Sequence, residues 1–501
     1  MIIKDLTTLK EFCKEIKTPI FGAGVYAFNR LGLEDIVSNY RILALRYSLD
    51  TEIIEKDIEI LSLEKGMGIK HIKEPRNATT VLKLNKTKEY LDKFESPAIL
   101  VYKPSTRMEK VCQENDWLLI ANPVSFGKAT FENKIKFRRI LKEIDVPVPP
   151  GKITLVDKLH YGHLMNKYNL PFVIQHPTKG GGKGTFFINN QEDFDNASKK
   201  LTGKWKSKLQ DDEETKFEPV PEALVAKFIQ GSSPSLTGCV TKHGILSTNL
   251  QQQVIDIPEL YNPEKGSGLF CGHDWTASEF DQEISQQAYD AVEKIGQYFK
   301  KLGYQGIFGL DFVLDKKTKK LYVVECNPRL VASYPTLNMA QLLNNEPSIL
   351  AFHVLEFLNV DYQIDLEEIN RLMRQKKIGS QMIVHNLTGR WSINHKEVKA
   401  GIYKLENDKL KYLRPGYDLK HLKDDQEFLF ADGIQFKKAP FSPNRRLGRI
   451  LTLNRVLDDS YKKLTPWAKQ ITELIYQAHD LKPVKLLKLK KIFKPDLLAK
   501  G

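Results

Sequence analysis

The chain has 501 residues, of which 41% are hydrophobic and 28% are charged. This balance is typical of a folded globular protein, and the length predicts about three domains rather than one core. No apolar run approaches the ~18 residues of a membrane-spanning helix, and residues 1–5 lack the apolar stretch of a signal peptide. We therefore expect no transmembrane segment and a cytoplasmic location.

The five cysteines lie far apart in sequence, and no two of them form a C-x-x-C pair. An odd number of scattered thiols argues against both a disulfide framework and a zinc site. We expect reduced and mostly buried thiols.

Positive charge is concentrated at the C-terminus. The net charge is +14, and residues 482–500 contain seven lysines against one aspartate. Interleaved leucines would allow this basic tail to form an amphipathic helix on an anionic surface. A solvated terminal helix is the favoured interpretation, because Pro483 and Pro495 limit any helix to about three turns. The positive charge requires no specific nucleic acid as a partner.

Residues 1–125 alternate short apolar segments with helical stretches, which predicts a small parallel α/β sheet. The apolar segments are 19–21, 41–47, 58–63, 97–102 and 117–121. Residues 22–27 match the dinucleotide-binding pattern G-x-G-x-x-A, with Asp50 and Glu52 further on. A tight turn after the strand explains these glycines equally well, and we favour that simpler interpretation.

A glycine-rich loop, residues 179–184, lies between two predicted strands at 171–174 and 185–188. It reads Lys-Gly-Gly-Gly-Lys-Gly, and its backbone N–H groups and lysine ammonium groups are suited to binding phosphates. A P-loop would be followed by a helix and would end in Gly-Lys-Ser/Thr, and neither feature is present. An amphipathic helix at 132–145 precedes the loop and ends before the prolines of 146–151.

A second motif is a predicted hairpin whose strands, 307–314 and 321–326, are joined by a turn at 315–320. Pairing across this turn places Asp311 opposite Val324 or Glu325. Alternation along the second strand puts Glu325 and Asn327 on one face. Three oxygen ligands without histidine or cysteine favour Mg²⁺ over zinc, and Arg329 would meet a phosphate as a bidentate donor.

The remaining elements complete three predicted domains and a tail. A helix at about 279–302, capped by Thr276 or Ser278, precedes the hairpin. Beyond residue 360 the pattern changes to short strands at 378–385, 401–404, 427–430 and 433–436 and a helix near 462–478. The predicted units are 1–125, 126–360, 361–481 and the basic tail 482–501.

The order of these motifs over roughly residues 15–345 resembles the ATP-grasp superfamily. The third domain is placed as in biotin-carboxylase-like members. The resemblance implies a Rossmann-like N-terminal domain, a two-lobed α+β nucleotide-binding core and a C-terminal mixed β/α domain. In that core, residues 175–188 would form a lid over the phosphates of ATP, and the hairpin 307–329 would hold the metal.

The resemblance also implies the residues of the site. Asp311, Glu325 and Asn327 would hold Mg²⁺ or Mn²⁺, and Arg329 and Lys183 would act at the transferred phosphate. The residues that it implies for ATP binding are Lys134, Gln175, Lys179, Gly181, Gly182, Lys183, Gly184, Lys227, Phe228 and Ile229. Gln175 and Ala226 stand where many relatives have a lysine and an acidic residue, and Gly309 argues against a D-alanine ligase.

Three residues are candidates for the substrate side of the site. The resemblance implies Gln251 and Gln253, whose stretch lines the substrate side in biotin-carboxylase-like members, and His273 lies in residues 261–275, which are typical of an acceptor-substrate loop. Gln253 stands where biotin carboxylases have a lysine, which disfavours bicarbonate chemistry. His273 is a candidate general base, but a loop histidine beside an aspartate is more often a surface pair, and that interpretation is favoured.

The function that the resemblance implies is an ATP-dependent, Mg²⁺-requiring ligase that activates a carboxylate as an acyl-phosphate for attack by an amine. The alternatives are a biotin-carboxylase-like carboxylase and a non-catalytic ATP-binding module, the latter because of Gln175 and Ala226. The partners expected are a small-molecule carboxylate and an amine. A homodimer is left open.

Overall fold

The computed structural model describes residues 1–67, 77–180, 182–204, 217–262 and 268–484. The prediction for Gly181 and the prediction for the basic tail beyond residue 484 lie outside the described residues. Within the described part of the chain, no helix is long and apolar enough to cross a membrane. All five cysteines are buried and unpaired, as the sequence predicts.

The N-terminal unit contains the predicted parallel sheet, with strand order β4-β3-β2-β5-β6. The strands form where short apolar runs alternate with helices, and the three central strands are largely buried on both faces. The strands of this sheet are β2 (Ile20–Gly24), β3 (Tyr40–Ala44), β4 (Ile60–Ser62), β5 (Ala98–Leu100) and β6 (Leu118–Ile120), while the short strand β1 (Ile2–Ile3) pairs with residues 363–364 instead. The helices are α1 (Leu6–Lys14), α2 (Leu49–Ile54), α3 (Leu63–Met67), α4 (Ala78–Lys83), α5 (Asn85–Leu91) and α6 (Thr106–Glu114).

A small lobe follows, built on a four-stranded antiparallel sheet of order β7-β10-β8-β9. Its strands are β7 (Gly151–Leu155), β8 (Phe172–Gln175), β9 (Thr185–Ile188) and β10 (Glu222–Lys227). Its helices are α7 (Lys134–Glu143), α8 (Tyr161–Tyr168) and α9 (Gln191–Leu201). Asn133 caps α7 by accepting hydrogen bonds from the backbone of residues 135 and 136. The glycine-rich loop joins β8 to β9, which confirms the predicted strand–loop–strand arrangement.

The large lobe contributes the first half of a twelve-stranded sheet, counted over the described residues. Its strands are β11 (Gly231–Ser232), β12 (Pro234–Thr241), β13 (Gly244–Ser247), β14 (Gln251–Ile255), β15 (Phe270–Asp274), β16 (Gly306–Asp315) and β17 (Leu321–Asn327). Helix α10 (Gln282–Lys301) packs on this sheet through a buried apolar face that ends at Phe299. Its N-cap position is Asp281 instead of Thr276 or Ser278, whose hydroxyl groups donate to backbone carbonyls instead.

The same sheet continues into the C-terminal part, because β15 pairs with β19 across residues 272–274 and 380–382. Its later strands are β19 (Ser380–His385), β21 (Gly401–Glu406), β22 (Lys409–Arg414), β23 (Glu427–Ala431) and β25 (Arg446–Thr452). Three others, β20 (Ser392–Asn394), β24 (Pro440–Phe441) and β26 (Leu481–Pro483), form a small separate sheet, and β18 (Gln363–Ile364) pairs with residues 2–3. The helices are α11 (Tyr334–Leu343), α12 (Ile349–Leu358), α13 (Leu366–Met373) and α14 (Pro466–Ala478). The predicted boundary near residue 360 therefore separates two parts of one continuous sheet.

One predicted C-terminal strand is wrong. Residues 433–436 form a loop, because Gly433 has a φ of +79° and the backbone N–H groups of Gly433 and Ile434 donate to Asp50 of the N-terminal unit. Strand pairing would need those N–H groups. The loop instead attaches the C-terminal part to the first turn of α2.

Candidate active site

The metal hairpin is β16 and β17, and Asp311 pairs directly with Glu325 in its antiparallel register. This confirms one of the two predicted registers. A bulge between Asp311 and Phe312 interrupts the ladder at this point, and bulges of this kind re-aim a side chain. Asn327 approaches the same place, with its Nδ2 3.2 Å from Asp311 Oδ2. The predicted ligand oxygens are thus gathered at one end of the hairpin.

Donor groups surround both carboxylates. Gln253 Nε2 lies 2.7 Å from Asp311 Oδ1, and Lys134 Nζ lies 3.1 Å from Glu325 Oε2. Among the described residues no group of three or more His, Cys, Asp or Glu side chains could hold a metal ion, so the candidate set is two carboxylates and one amide. Such oxygen donors suit Mg²⁺ or Mn²⁺, provided that the Asn327 amide rotates to present its oxygen.

The charge on this pair of carboxylates is incompletely balanced. Burial, together with the negative charge of Glu325, raises the pKa of Asp311 to about 7, while the hydrogen bond from Gln253 opposes the shift. A carboxyl group that holds its proton this strongly gains most from a nearby cation. The residues therefore fit the divalent ion that the hairpin predicts.

Arg329 is held by two partners at the end of the hairpin. Its Nη2 donates to Asn327 Oδ1 at 2.9 Å, and its Nε donates to Glu132 Oε1 at 2.7 Å. Glu132 also pairs with Lys103 Nζ at 2.9 Å. One carboxylate thus orients two cations beside the metal ligands. Glu132 and Lys103 were not predicted as site residues, although Glu132 lies only two positions before the predicted ATP-binding residue Lys134.

Lys134 links the hairpin to the glycine-rich loop. Its side chain is only 3% exposed, and Nζ donates to the Lys179 carbonyl at 3.0 Å as well as pairing with Glu325. Gly180 lies against Glu325, since a Cβ built there would be 3.9 Å from Glu325 Oε1. The described part of the loop therefore lies against the candidate metal ligand Glu325.

Other predicted phosphate-binding residues point in different directions. Gln175 Nε2 donates to Thr185 Oγ1 across the two strands that flank the loop, at 3.2 Å. The Lys179 ammonium lies 5.2 Å from the ring centroid of Phe217. Lys183 is exposed on the turn, and Gly182 takes a positive φ of +74° that glycine adopts without strain. Gly184 packs against Lys179, which leaves no room for a side chain there.

A cleft separates the small lobe from the hairpin. It is lined by Lys134, Phe137, Arg138, Leu141, Val148, Pro149, Gln175, Leu224, Ala226, Val323 and Val324. Of the residues predicted to bind ATP, Lys227 ends β10 and Phe228 and Ile229 follow it, and the Lys227 N–H donates to the Pro150 carbonyl at 2.8 Å. The lining is mostly apolar, including Val323 and Val324 of the hairpin, and its polar side chains, Lys134, Arg138 and Gln175, come from α7 and the end of β8.

The prediction that His273 lies in a loop is wrong. It belongs to β15, it is 4% exposed, and Asp274 turns away to accept from the backbone of residues 456 and 457. Burial, assisted by the positive charge of Arg449, lowers the pKa of His273 to about 3. The ring is therefore neutral, and neither a surface pair with Asp274 nor an exposed general base describes it.

His273 instead joins a buried polar network on one face of the sheet. Its Nε2 lies 3.1 Å from Ser235 Oγ and 3.4 Å from Gln251 Nε2, and its Nδ1 lies 3.2 Å from Gln381 Nε2. The strand registers place Ser235 opposite Asp311 and His273 opposite Gln253. The predicted substrate residues Gln251, Gln253 and His273 therefore form a layer that extends from the metal ligands towards the C-terminal part.

The G-x-G-x-x-A segment has a structural explanation. A Cβ at Gly22 would collide with Tyr40, and one at Gly24 would collide with the Arg30 guanidinium. A single turn of 3₁₀-helix at Phe28–Arg30 follows, in place of the α-helix that a dinucleotide site requires. The Asp50 carboxylate, which would bind a ribose in a dinucleotide site, instead accepts a hydrogen bond from the Gly433 N–H. This supports the simpler interpretation, in which the glycines form a tight turn.

Comparisons with known proteins agree with this geometry. Residues 131–333 match the family model described as an ATP-grasp domain. The biotin carboxylase of Campylobacter jejuni, solved as a β-γ-ATP complex, aligns with a TM-score of 0.56 at 13% identity over 97% of this chain and 97% of its own. The biotin carboxylase domain of the Hydrogenobacter thermophilus 2-oxoglutarate carboxylase aligns with a TM-score of 0.54 at 13% identity, over 96% and 95%.

A third structure, the ADP complex of N5-carboxyaminoimidazole ribonucleotide synthetase, aligns with a TM-score of 0.51 at 12% identity, over 96% of this chain and 99% of its own. At these identities the structures establish the fold alone. The alignments extend over nearly the whole chain, including the part beyond residue 333. Residues 131–333 therefore match an ATP-grasp domain, and the chain as a whole shares the multi-domain α/β fold of these structures.

Proposed function

We propose that this protein is an ATP-dependent, Mg²⁺-requiring ligase that activates a carboxylate as an acyl-phosphate and transfers the acyl group to an amine. The observation that carries the proposal is the convergence of Asp311, Glu325 and Asn327 at one end of the hairpin. Lys134 connects Glu325 there to the Lys179 carbonyl of the glycine-rich loop. The ATP-grasp match supports the nucleotide, and the H. thermophilus neighbour is described with MgADP.

The roles of the residues follow from their charges. Lys134 and Lys183 would neutralise phosphate oxygens of ATP, and Arg329, oriented by Glu132, would present its remaining N–H groups to the transferred phosphoryl group. Asp311, Glu325 and Asn327 would hold Mg²⁺, which supplies charge neutralisation at the phosphates when bound. Phosphoryl transfer depends mainly on positioning and charge, so the absence of a covalent nucleophile from this proposal is in keeping with the chemistry.

The reaction proposed has two bond exchanges. A carboxylate oxygen of the substrate attacks the γ-phosphorus, so that an O–P bond forms and ADP leaves. The amine nitrogen then attacks the carbonyl carbon, a C–N bond forms, and inorganic phosphate leaves with the oxygen that came from the carboxylate. The amine also loses a proton in this second step.

Nucleotide binding is tested by the thermal midpoint of unfolding with ATP, with and without Mg²⁺. A ligand at 100 times its Kd adds about 2.7 kcal/mol, which is a shift of a few degrees. We expect a Mg²⁺-dependent shift in the wild type, a much smaller shift in Glu325→Gln, and an unchanged shift in the control Glu283→Gln, whose side chain is exposed on α10. Equal shifts in wild type and Glu325→Gln would remove the hairpin from the proposal.

Chemistry is tested by ADP release over a panel of carboxylates and amines, followed by isotope transfer. With an ¹⁸O-labelled carboxylate, the acyl-phosphate route delivers one ¹⁸O into inorganic phosphate for each turnover. Unlabelled phosphate with ADP formation would contradict the acyl-phosphate step.

Two other functions make different predictions in the same assays. A biotin-carboxylase-like enzyme would release ADP in response to bicarbonate and biotin. Gln253 disfavours it, because its neutral amide donates to Asp311 where those carboxylases have a lysine. A non-catalytic module would show the thermal shift without ADP release on any panel. A homodimer stays a prediction, although the H. thermophilus domain is described as a dimer.

A further inference from the structure

A second polar cluster lies where the N-terminal sheet meets the C-terminal part. Tyr26 follows β2, at the carboxyl edge of the parallel sheet, and its hydroxyl group accepts from Arg445 Nη2 at 3.0 Å and from Gln435 Nε2 at 3.4 Å. Arg46, just after β3, donates through Nη2 to Gln435 Oε1 at 3.1 Å, while its Nε pairs with Glu64 Oε2 at 2.8 Å. The carboxyl edge of a parallel sheet is where ligands commonly bind in α/β folds.

This cluster presents more donors than acceptors. The Tyr26 hydroxyl already accepts two hydrogen bonds, so its own proton is available to donate. Arg445 uses one N–H on that hydroxyl, and among the described residues it forms no ion pair with a carboxylate. Gln435 accepts from Arg46 through its oxygen and donates its amide N–H groups to the Tyr26 hydroxyl and the Gly433 carbonyl. The Tyr26 proton and the N–H groups of Arg445 that do not contact Tyr26 would suit an acceptor, and an oxyanion supplies several acceptor sites.

The charge balance points the same way. Asp432 is the one carboxylate shared by Arg446 at 2.7 Å and Arg449 at 3.0 Å, so two cations face one anion there. Arg445 adds a further cation to this group. Burial tends to raise the pKa of Tyr26, yet the positive charges of Arg445, Arg46 and Arg446 together hold the pKa below its usual value.

The cluster is connected to the metal hairpin. Arg449 Nη1 donates at 3.0 Å to the carbonyl of Ala332, which lies three residues beyond Arg329. On the other side, the Arg30 guanidinium lies 3.8 Å from the ring centroid of Tyr102, beside the Lys103 that shares Glu132 with Arg329. Cations thus follow one another along the interface from the reacting end of the site to Tyr26.

We propose that Arg46, Arg445 and Tyr26 bind an oxyanionic group, a phosphate ester or a carboxylate, carried by the acceptor substrate at a point away from its reacting amine. This inference rests on the proposed function, and it narrows the acceptor to an anionic amine. The donor groups and the excess charge would hold one end of the acceptor while its amine reaches the acyl-phosphate beside Arg329.

The test uses inorganic phosphate and acetate as probes, titrated calorimetrically into the full chain saturated with Mg²⁺ and a non-hydrolysable ATP analogue. The analogue occupies the nucleotide phosphate site, so that any further binding is elsewhere. We expect Arg445→Gln to weaken phosphate binding at least ~10-fold, because a charge-assisted pair is lost. Arg445→Lys should restore part of the affinity, and the control Arg107→Gln, exposed on α6, should leave it unchanged.

A second measurement reports on the site directly. The alkaline titration of Tyr26, taken as the difference in tyrosinate absorbance between wild type and Tyr26→Phe, should move to higher pH when phosphate binds. Stronger binding of phosphate than of acetate would assign a phosphate ester, and comparable binding would assign a carboxylate. Equal affinity in wild type and Arg445→Gln, together with an unmoved Tyr26 titration, would overturn the inference.

The two proposals fail in distinguishable ways. Normal binding of the ATP analogue without anion binding would overturn the oxyanion site and leave the ligase proposal standing. Anion binding that depends on Arg445, in a chain that does not bind the analogue, would support the anion site and reject the ligase.

Discussion

Lys134 Nζ lies 3.1 Å from Glu325 Oε2 and 3.0 Å from the Lys179 carbonyl oxygen, so one buried ammonium joins α7, the metal hairpin and the glycine-rich loop. The same group is the predicted phosphate ligand. When phosphates enter, they would compete with the Glu325 carboxylate for this ammonium, and a divalent cation would compensate Glu325. Nucleotide and metal binding should therefore depend on each other.

The first prediction concerns that ammonium. Lys134→Met removes the charge and keeps most of the buried apolar stem, so we expect ATP affinity to fall at least ~10-fold. The Mg²⁺ dependence of the remaining ATP binding should also become weaker. Without Lys134, ATP binding no longer separates Glu325 from an internal cation, so it no longer creates a need for Mg²⁺ at Glu325. Calorimetric titration of ATP at several Mg²⁺ concentrations measures both effects. Lys142→Met, exposed on the last turn of the same helix, is the control, and an equal loss in that variant would argue against the role of Lys134.

The second prediction concerns pH. The folded-state pKa of Asp311 is raised to about 7, from a value near 3.8 in the unfolded chain. Between pH 3.8 and pH 7, the folded protein therefore keeps a proton that the unfolded chain has lost. This contribution to stability is present below the unfolded value and is lost as the pH rises to 7. A cation must displace the same proton. Apparent Mn²⁺ affinity should therefore rise by nearly tenfold per pH unit below 7 and level off above it.

Proton release provides the measurement for this effect. Calorimetry of Mn²⁺ binding at pH 6, in buffers of different ionisation enthalpy, should show nearly one proton released per ion bound. In Asp311→Asn the release should vanish along with most of the affinity. Proton release that persists in Asp311→Asn would assign it to another group.

The hairpin could be predicted from sequence because its information is local. A six-residue turn with two β-rich flanks fixes the pairing, so Asp311 and Glu325 meet whatever the rest of the chain does. The parallel sheet and the glycine-rich loop are local patterns of the same kind. The bulge beside Asp311 could not be predicted from the sequence, since nothing in residues 306–327 indicates one extra residue in the ladder.

The rest of the site depends on contacts between distant segments. Tyr26 and Arg445 are 419 residues apart in sequence, and their meeting follows from the sheet that runs from the large lobe into β19 and β25. His273 was misplaced for the same reason, because a short polar segment becomes a buried strand only when β14 and β19 lie on both sides of it. The adjacent arginines Arg445 and Arg446 were the one local signal of a second cluster.

The third prediction concerns the contact between the N-terminal unit and residues 432–435. The Asp50 carboxylate is fully buried and accepts from the N–H groups of Gly433 and Ile434 at 3.0 and 2.8 Å. Asp50→Ala would leave two buried donors unsatisfied, each at a cost of about 1–3 kcal/mol. Hydrogen exchange of these two amides should accelerate strongly, and oxyanion binding at Arg445 should weaken with it. Glu52→Ala, exposed on the same helix, should leave the exchange unchanged.

The fourth prediction concerns a buried ion pair away from the proposed chemistry. Lys377 Nζ lies 2.5 Å from Glu346 Oε2, with side-chain exposures of 0% and 1%, and it also donates to the Met373 carbonyl at 2.7 Å. Burial raises the pKa of Glu346 to about 8 and lowers the pKa of Lys377, so each group resists its charged form. The desolvation of two ions therefore offsets much of their attraction.

A double-mutant cycle separates these two contributions. Lys377→Met alone leaves Glu346 buried without its partner, and we expect a loss of about 3–5 kcal/mol, seen as a lower thermal midpoint of unfolding. Combining it with Glu346→Leu removes the remaining charge and should return the midpoint to the wild-type value or above it. The exposed pair of Lys319 and Asp281, at 2.8 Å, is the control, and Lys319→Met should leave the midpoint almost unchanged. A double variant as unstable as Lys377→Met would show instead that the pair is net stabilising, through hydrogen bonds that apolar side chains cannot replace.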